Sequence, residues 1–333
     1  MELAFLLFVA VIVLALVFDY INGFHDAANA IATIVSTKVL SPRVAVVYGA
    51  ILNFIGALIG TQVAATVGEG LVNTQVVTSE VLLAALLSAI VWNLLTWFKG
   101  LPSSSSHALM GSLMGATAFA TGSGNLHWNI ITYKVIIPMF TSPIMGFVGG
   151  YFVMVALYWL FHKVALPKIN AIFGKAQIVS CGYLAITHGA NDAQKTMGII
   201  ALAVATYYQT PFHVSDWIIV ACAVAMGLGT VAGGWKIIRT VGSKMVKVKP
   251  IQGFAAEATG GTILFLTAHF GIPISTTHTI TTSIMGVGSA QRLSALKPKI
   301  IGNIVCSWIL TLPITFFLSG LIYSIGHWLL LTK

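Results

Sequence analysis

Charged residues are scarce in this sequence. Only 8% of its 333 residues are Asp, Glu, Lys or Arg, whereas soluble proteins carry about 25%. Apolar residues make up 57% of the chain, and the mean hydropathy is +0.94. This composition excludes an ordinary soluble domain and predicts an integral membrane protein with roughly eight or more spans of about 20 residues each. The opening residues lack a basic segment and a cleavage site, so we expect a first span there and no signal peptide.

Cysteine is also scarce, and positive charge is not concentrated anywhere. Cys181, Cys222 and Cys306 lie far apart in apolar runs and form no CxxC pair, which argues against disulfides and against a cysteine metal site. The formal net charge is +9, but Lys and Arg are scattered through short loops, as expected for residues that set membrane topology. We therefore expect no nucleic-acid partner.

Half of the few acidic residues lie inside apolar blocks. Asp19, Asp26, Asp192 and Glu257 are four of the eight Asp and Glu residues in the chain. An ionisable side chain at membrane depth costs about 3 kcal/mol or more and tends to mark an ion or substrate path. These four positions are therefore candidate functional residues.

Two polar motifs occur twice. The stretch NGFHDAANA at 22–30 aligns with HGANDAQKT at 188–196, and GLPSSSSHALMGSLMG at 100–115 aligns without a gap with GIPISTTHTITTSIMG at 271–286. Self-similarity of this kind indicates an internal duplication. We divide the chain into two transmembrane repeats, residues 1–166 and residues 167–333.

Loop charges predict that the two repeats are inverted. In the first repeat the loop after the first apolar block is basic and the next two loops are not; in the second repeat the loop at 207–215 has no Lys or Arg and the next two loops are basic. Since basic loops stay cytoplasmic, equivalent loops face opposite sides of the membrane. The same pattern predicts helical hairpins at 81–121 and 251–290, and it places both termini outside the cell.

The repeated motifs carry two kinds of ligand. Asp beside Asn, in what we expect to be a broken helix, supplies carboxylate, amide and freed carbonyl oxygens, which suit a small hard cation such as sodium. The Ser/Thr clusters stand where a helix begins after Pro102 and Pro273, so hydroxyls, unpaired N–H groups and the positive end of the helix dipole can converge on an anion. An anion near the midplane, flanked by cations, is the arrangement of a secondary symporter.

Structural roles compete with these interpretations. Ser and Thr after Pro are often helix caps. His107 and His278 are either ligands or proton carriers, or helix-start histidines bonded to the backbone. Lys195, three residues after Asp192, can form an ion pair with it on one helix face. Glu257, which lies among small residues, is either a coupling group or a protonated packing residue.

Together the four motifs GFHDAANA, HGANDAQKT, LPSSSSH and IPISTTH resemble the inorganic phosphate transporter (PiT) family, whose hallmark is a GANDxANA-like sequence in each half. The resemblance covers essentially the whole chain. It implies import of inorganic phosphate coupled to sodium or protons, on an all-α fold of two inverted repeats with broken helices and two hairpins that meet at a central site. It also implies a homodimer. We expect a plasma-membrane protein without enzymatic activity, whose co-substrate is sodium and which needs no cofactor.

The resemblance also assigns site residues by position. The sodium ligands that it implies are Asp26, Asn29, Asn191 and Asp192. The phosphate ligands that it implies are Ser104, Ser105, Ser106, Ser275, Thr276 and Thr277, with Gln194 as a further amide donor to the anion. The sequence departs from the family pattern at His25 and at residues 194–196, so Lys195 is the repeat mate of Asn29. Lys195 can either neutralise Asp192 or itself reach a phosphate oxygen. We assign coupling or supporting roles to His25, Lys195 and Glu257.

Three classes of function are compatible with the sequence. A symporter explains the inverted repeats, the hydroxyl clusters and the buried acids, and we expect sodium because each Asp sits among amide and carbonyl oxygens. A proton-coupled carrier of phosphate or of a metal phosphate is the alternative. An anion channel would need rings of pore-lining groups from an oligomer. An intramembrane hydrolase is disfavoured because Ser, His and Asp come in symmetric pairs without a G-x-S-x-G or HExxH motif.

Overall fold

The chain is helical, with short connections between the helices. The structure, a computed structural model, describes residues 2–246, 248–291 and 296–331, so both chain termini lie outside the described residues. The helices up to residue 160 are α1 (Glu2–Ser36), α2 (Pro42–Ala57), α3 (Gln62–Ala65), α4 (Ser79–Lys99), α5 (Ser105–Thr121), α6 (Trp128–Ile131) and α7 (Ile137–Leu160). The later helices are α8 (Leu166–Tyr208), α9 (Asp216–Ala232), α10 (Trp235–Arg239), α11 (Pro250–His269), α12 (Thr276–Gln291) and α13 (Pro298–Leu331). There are also three π-helical turns: Thr66–Gly70 extends α3, Thr132–Ile136 precedes α7, and Thr240–Met245 extends α10.

Each half packs its helices against helices of the other half, and equivalent helices have equivalent partners. Helix α1 packs against α9 and α8 packs against α2, while α5 packs against α13 and α12 against α7. Glycines allow close backbone contact at both of these interfaces. A Cβ atom at Gly56 on α2 would lie less than 3.0 Å from the carbonyl oxygen of Ile186 on α8, and a Cβ atom at Gly229 on α9 would lie less than 3.0 Å from the carbonyl oxygen of Tyr20 on α1. Each half therefore completes its packing on the other half, as repeats related by a two-fold axis do.

The aspartate motifs lie within unbroken helices, so the prediction of a broken helix at each motif is wrong. Helices α1 and α8 run through the two motifs without interruption. Gly23 and Gly189 serve close packing instead, because a Cβ atom at either position would lie less than 3.0 Å from the carbonyl oxygen of Met226 or Asn53, respectively. The carbonyl groups inside an unbroken helix are bonded within it, so they are not free to bind a cation.

The helix breaks occur one helix later in each half. Helices α2 and α3 are bent by 68° at their break, and α9 and α10 are bent by 59°. The two breaks are at equivalent places in the two halves. The predicted broken helices are therefore present, but they flank the motif helices and do not contain the aspartates.

Both predicted hairpins are present. The turn between α4 and α5 contains Gly100 and the turn between α11 and α12 contains Gly271, with φ angles of 65° and 60° that favour glycine. Thr240 donates a hydrogen bond of 2.9 Å to the carbonyl oxygen of Gly100, and Thr66 donates one of 2.7 Å to that of Gly271. Each hairpin turn is therefore fastened to the segment that follows a helix break.

The number of helices able to span a membrane is smaller than the sequence predicts. Among the described residues, α1, α4, the α6–α7 segment, α8 and α13 are long and apolar enough to cross a bilayer, and the two bent pairs raise the number from 5 to as many as 7. Of the four hairpin helices only α4 qualifies. Helices α5 and α12 have 17 and 16 residues, fewer than the roughly 20 that a full span requires.

Loops of similar charge meet at the same end of the molecule. A cavity of about 970 Å³ is lined by the start of α1, the loop before α4 and the loop after α8, including Glu69, Glu80 and Gln209. A second cavity, of about 410 Å³, joins His162 in the loop between the halves to Lys249 and Gln291. The loops without Lys or Arg thus share one end, and loops from the basic set share the other.

Candidate functional site

The two motif helices and the start of α12 meet at one buried point. Asp26 on α1 and Asp192 on α8 are only 2% and 1% exposed. Thr276 donates a hydrogen bond of 2.9 Å to Asp192 Oδ2, and Thr277 donates one of 3.4 Å to Asp26 Oδ1. Two consecutive threonines at a single helix start therefore bridge the two aspartates.

Asp26 is surrounded by an imidazole and neutral groups. His25 Nδ1 lies 2.7 Å from Asp26 Oδ1, and His25 Nε2 lies 3.0 Å from Thr96 Oγ1 on α4. Asn29, one turn after Asp26, donates a hydrogen bond of 2.9 Å to Thr277 Oγ1. Within the described residues, the imidazole of His25 is the basic side chain paired with Asp26. Asp26 is thus held by α1, α4 and α12 together.

Asp192 has a lysine beside it, as the sequence predicts. The Lys195 ammonium bonds to Asp192 Oδ1 and to Ser106 Oγ, and it donates a hydrogen bond of 3.1 Å to the carbonyl oxygen of Ile274. His188 Nε2 lies 3.2 Å from Asp192 Oδ2. Because Ser106 belongs to the first hairpin and Ile274 to the second, Lys195 fastens α8 to both hairpins.

The hydroxyl clusters contain two kinds of residue. Ser104 Oγ accepts a hydrogen bond of 3.1 Å from the backbone N–H of His107, and Ser275 Oγ accepts one of 3.2 Å from that of His278. Ser104 and Ser275 therefore cap α5 and α12. Ser105 is 1% exposed, and its hydroxyl has no hydrogen-bond partner among the described residues. The first cluster thus presents a buried hydroxyl whose donor capacity is unused.

The starts of α5 and α12 face each other. The rings of His107 and His278 have centroids 4.9 Å apart and planes at 67°. In the described part of the chain, His107 Nδ1 and both ring nitrogens of His278 lack hydrogen-bond partners. Two helix N-termini, each with its positive dipole end and unpaired N–H groups, therefore converge beside the aspartates.

The aspartates are close enough together to hold a cation. Asp26, His188 and Asp192 each offer one ligand atom, and these atoms lie within 4.8 Å of one another. Ligands on opposite sides of a hard cation, each 2.3 to 2.6 Å from it, are about 5 Å apart. The spacing therefore fits a single ion between the two helices.

The two remaining motif amides lie in different environments. Asn191 is fully buried, and neither atom of its amide has a partner within the described ranges. Gln194 Oε1 accepts a hydrogen bond of 2.8 Å from Val63 N, and Nε2 donates to the carbonyl oxygens of Ile59 and Ala190 over 3.1 and 2.6 Å. The Gln194 amide thus satisfies the backbone at the break between α2 and α3, and its assignment as a donor to the anion stays a prediction.

Glu257 lies in a separate polar cluster. Its carboxylate accepts hydrogen bonds from Thr33 over 2.6 Å, from Gln177 over 2.9 Å and from Ser180. Thr33 is two helical turns beyond Asp26 on α1, which corresponds to about 10 Å along the axis. The structure therefore places Glu257 away from the paired aspartates, in contact with both motif helices.

Three site residues were not predicted from the sequence. His188 lies four residues before Asp192, and this spacing places both on one face of α8. That signal was present in the HGANDAQKT motif. Thr96, which contacts His25, belongs to no motif. Thr196 donates a hydrogen bond of 3.0 Å to the fully buried Asp19, and this contact between α1 and α8 depends on the tertiary fold.

Comparison with known proteins gives consistent matches. The profile of the phosphate transporter family matches residues 22–319. A Rhizobium meliloti (strain 1021) protein named "Probable low-affinity inorganic phosphate transporter" is 46% identical over 324 residues, 96% of this chain and 97% of its own length. A Bacillus subtilis (strain 168) protein of the same name is 43% identical over 329 residues, 98% of each chain. A solved structure described as "The sodium-dependent phosphate transporter" matches with a TM-score of 0.84 and 22% identity, covering 96% of this chain and 99% of that chain, and shows a shared fold.

Proposed function

The chain belongs to the phosphate transporter family, and we propose that it imports inorganic phosphate by symport with a cation, which we take to be sodium. The family consists of multi-pass membrane transporters and not of enzymes. The observation that carries the proposal is that two hydroxyl-bearing helix starts meet at one place: α12 contacts both buried aspartates through Thr276 and Thr277, and α5 contacts Lys195, the partner of Asp192, through Ser106. Anion donors and cation ligands are therefore adjacent.

Phosphate would bind at the two helix starts. The anion carries between one and two negative charges near neutral pH and offers several acceptor oxygens, so it requires many donors. The donors that can supply them are the hydroxyls of Ser105 and Ser106 and the unpaired N–H groups of α5 and α12. The hydroxyls of Thr276 and Thr277 donate to the aspartates, and they would turn to the anion once a cation binds these carboxylates. Ser104 and Ser275 contribute by capping these helices.

The coupling cation would bind between the motif helices. Asp26 and Asp192 supply carboxylate oxygens within reach of a single ion. Asn29 and Asn191 are buried on the same helices, and the amide of Asn191, which has no partner among the described residues, would be an additional oxygen ligand. Carboxylate and amide oxygens are ligands that hard cations prefer. Since Thr276 and Thr277 touch both aspartates, cation binding at these carboxylates would favour phosphate binding beside them.

Alternating access would use the exchanged packing of the two halves. A carrier opens its central site to one side at a time by moving one part of the fold against the other. The turns at Gly100 and Gly271, each fastened by a threonine, lie at equivalent places in the two halves and are suited to act as gates. A channel would draw rings of ligand groups from several chains, whereas here the ligand groups come from one chain.

We further propose that the protein lies in the plasma membrane with both termini outside the cell. The grouping of loops supports this orientation, because the basic loops, which stay cytoplasmic, share the end that contains His162 and Lys249. A homodimer is the assembly that the resemblance in sequence implies.

Proton coupling is a second candidate, and one observation favours it. Each aspartate has a histidine close by, His25 at 2.7 Å from Asp26 and His188 at 3.2 Å from Asp192. An imidazole within hydrogen-bond distance of a carboxylate can pass a proton to it and take it back.

Uptake of radiolabelled phosphate into proteoliposomes tests the proposal. We expect an inward sodium gradient to drive phosphate accumulation above its equilibrium level, and an equal potassium gradient to have no effect. Accumulation with a proton gradient alone would select the second candidate. Phosphate flux without accumulation under any gradient, and without exchange of labelled for unlabelled phosphate, would show that the protein is a channel.

A further inference from the structure

Lys195 is an unusual residue in a transport site. Its side chain is 2% exposed, and its ammonium is bonded to Asp192 Oδ1, to Ser106 Oγ and to the carbonyl oxygen of Ile274. Lysine is almost never fully buried without a partner of opposite charge. All three partners are oxygen atoms, which are the atoms that would surround a hard cation.

The two repeats differ at this position. Asp192 is followed three residues later by Lys195, and its repeat mate Asp26 is followed three residues later by Asn29. Lys195 and Asn29 also have equivalent contacts. Lys195 donates to Ser106, and Asn29 donates to Thr277, which is the residue of the second hairpin that aligns with Ser106. An ammonium neutralises the neighbouring carboxylate, whereas an amide does not.

The lysine has no donor left for phosphate. An ammonium group carries three N–H bonds, and Asp192, Ser106 and Ile274 account for three acceptors. Its role is therefore to neutralise Asp192 and to join α8 to both hairpins. With the imidazoles of His25 and His188 uncharged, the charges of Asp26, Asp192 and Lys195 leave a single negative charge, which one monovalent cation cancels.

We propose that the Lys195 ammonium takes the place of one coupling cation, so that a single mobile cation, held at Asp26, accompanies each phosphate. The inference rests on the proposed symport function and specifies its stoichiometry. It also explains why the two halves, which share their packing, carry different residues at this position. In a repeat pair with Asn at both positions, each aspartate would need a mobile cation.

Stoichiometry measured in proteoliposomes tests this inference. The driving cation is the one identified by the uptake experiment, and the phosphate gradient that balances a fixed gradient of this cation gives the number of cations per phosphate. We expect about one cation per phosphate for the wild type. Lys195→Asn supplies the amide that Asn29 provides in the other half, and we expect this variant to transport about two cations per phosphate. Its Hill coefficient for cation activation should rise from about one to about two.

Lys134→Asn is the matched control. Lys134 also bonds two oxygens, Thr66 Oγ1 at 3.1 Å and the Gly271 carbonyl at 3.3 Å, but it lies beside no aspartate of the site. The Lys134→Asn variant should still transport about one cation per phosphate. The inference would be overturned by two mobile cations per phosphate in the wild type, by an unchanged value in folded Lys195→Asn, or by loss of phosphate binding in that variant at saturating cation. If Lys195→Asn does not fold, the wild-type value decides. Failure of the symport proposal is distinct, because no cation gradient would then drive accumulation in the wild type.

Discussion

Asn29 donates a hydrogen bond of 2.9 Å to the hydroxyl of Thr277. This bond joins the first helix of the chain to the start of α12, the second helix of the hairpin in the other half. The same hydroxyl donates to Asp26 over 3.4 Å. Thr277 is therefore placed between the carboxylate that we propose as a cation ligand and the helix start that we propose as an anion site.

We expect Thr277→Val to weaken phosphate binding and cation activation together. The substitution keeps the shape of the side chain but removes a hydroxyl that donates to Asp26 and that would donate to phosphate once a cation binds this carboxylate. A hydrogen bond to a charged group is worth about 1.5 to 3 kcal/mol, so phosphate affinity should fall by roughly one to two decades. Calorimetry at saturating cation measures the loss, and Thr277→Ser should restore most of it. A change in phosphate affinity without any change in cation activation would contradict the linkage.

The Asp26 carboxylate should control cation dependence. Asp26→Asn keeps the size of the side chain and removes its charge, so we expect cation activation of phosphate uptake to be lost or shifted to much higher concentrations in folded protein. Glu80→Gln, in the large cavity at the end of the molecule, should leave activation unchanged. Wild-type activation in Asp26→Asn would remove this residue from the coupling role.

Sequence predicted the hairpins because the loops on either side of each apolar block have the same charge character, and it predicted the meeting of the motifs because they are duplicated. The gapless repeat showed that the hydroxyl clusters follow both turns, in which the structure places Gly100 and Gly271 with φ angles that favour glycine. Two such clusters in a duplicated chain were expected to converge, and the proximity of the His107 and His278 rings shows that their helices do.

Sequence did not predict where the helices break. Gly23 and Gly189 sit among polar residues, which resembles a break when only neighbours in sequence are considered. Their actual role depends on a carbonyl group of another helix, supplied by Met226 or Asn53, and no local pattern shows that partner. The hydrogen bonds of the Gln194 amide were not predicted for the same reason, since the backbone that it satisfies belongs to a distant segment.

Two equivalent glycines should matter equally for stability. Gly56→Ala and Gly229→Ala each place a Cβ atom less than 3.0 Å from a carbonyl oxygen of the opposing motif helix, and overpacking of this kind typically costs 1 to 3 kcal/mol. We expect a clear fall in melting temperature in detergent for both. Gly174→Ala is the control, because a Cβ atom there meets nothing within 4 Å and alanine favours a helix by about 1 kcal/mol. Tolerance of both Gly56→Ala and Gly229→Ala would contradict the exchanged close packing.

Labelling of single cysteines should reveal the orientation. In a background in which the three native cysteines are replaced by alanine, cysteine at Thr78 or Gln209 lines the large cavity, and we expect it to react with an impermeant thiol reagent added to intact cells. Cysteine at Lys163, in the loop between the halves, should react only after permeabilisation. Reaction of only one of the first two positions would contradict their common location, and external labelling at Lys163 would reverse the orientation.

Ser105 offers the sharpest test of the anion site. Its hydroxyl is buried without a protein partner among the described residues, so Ser105→Ala removes no bond within the protein and should leave the melting temperature nearly unchanged. If this hydroxyl donates to phosphate, affinity should fall by roughly one to two decades, since a hydrogen bond to a charged oxygen is worth about 1.5 to 3 kcal/mol. Thr117→Val is the matched control on the same helix: Thr117 is also buried, but its hydroxyl bonds to the Leu113 carbonyl over 2.8 Å, and it lies about 18 Å further along the axis. Phosphate affinity should be unchanged in Thr117→Val. If Ser105→Ala also bound phosphate with wild-type affinity, phosphate would not bind at the start of α5, because this hydroxyl has no other contact among the described residues that could compensate.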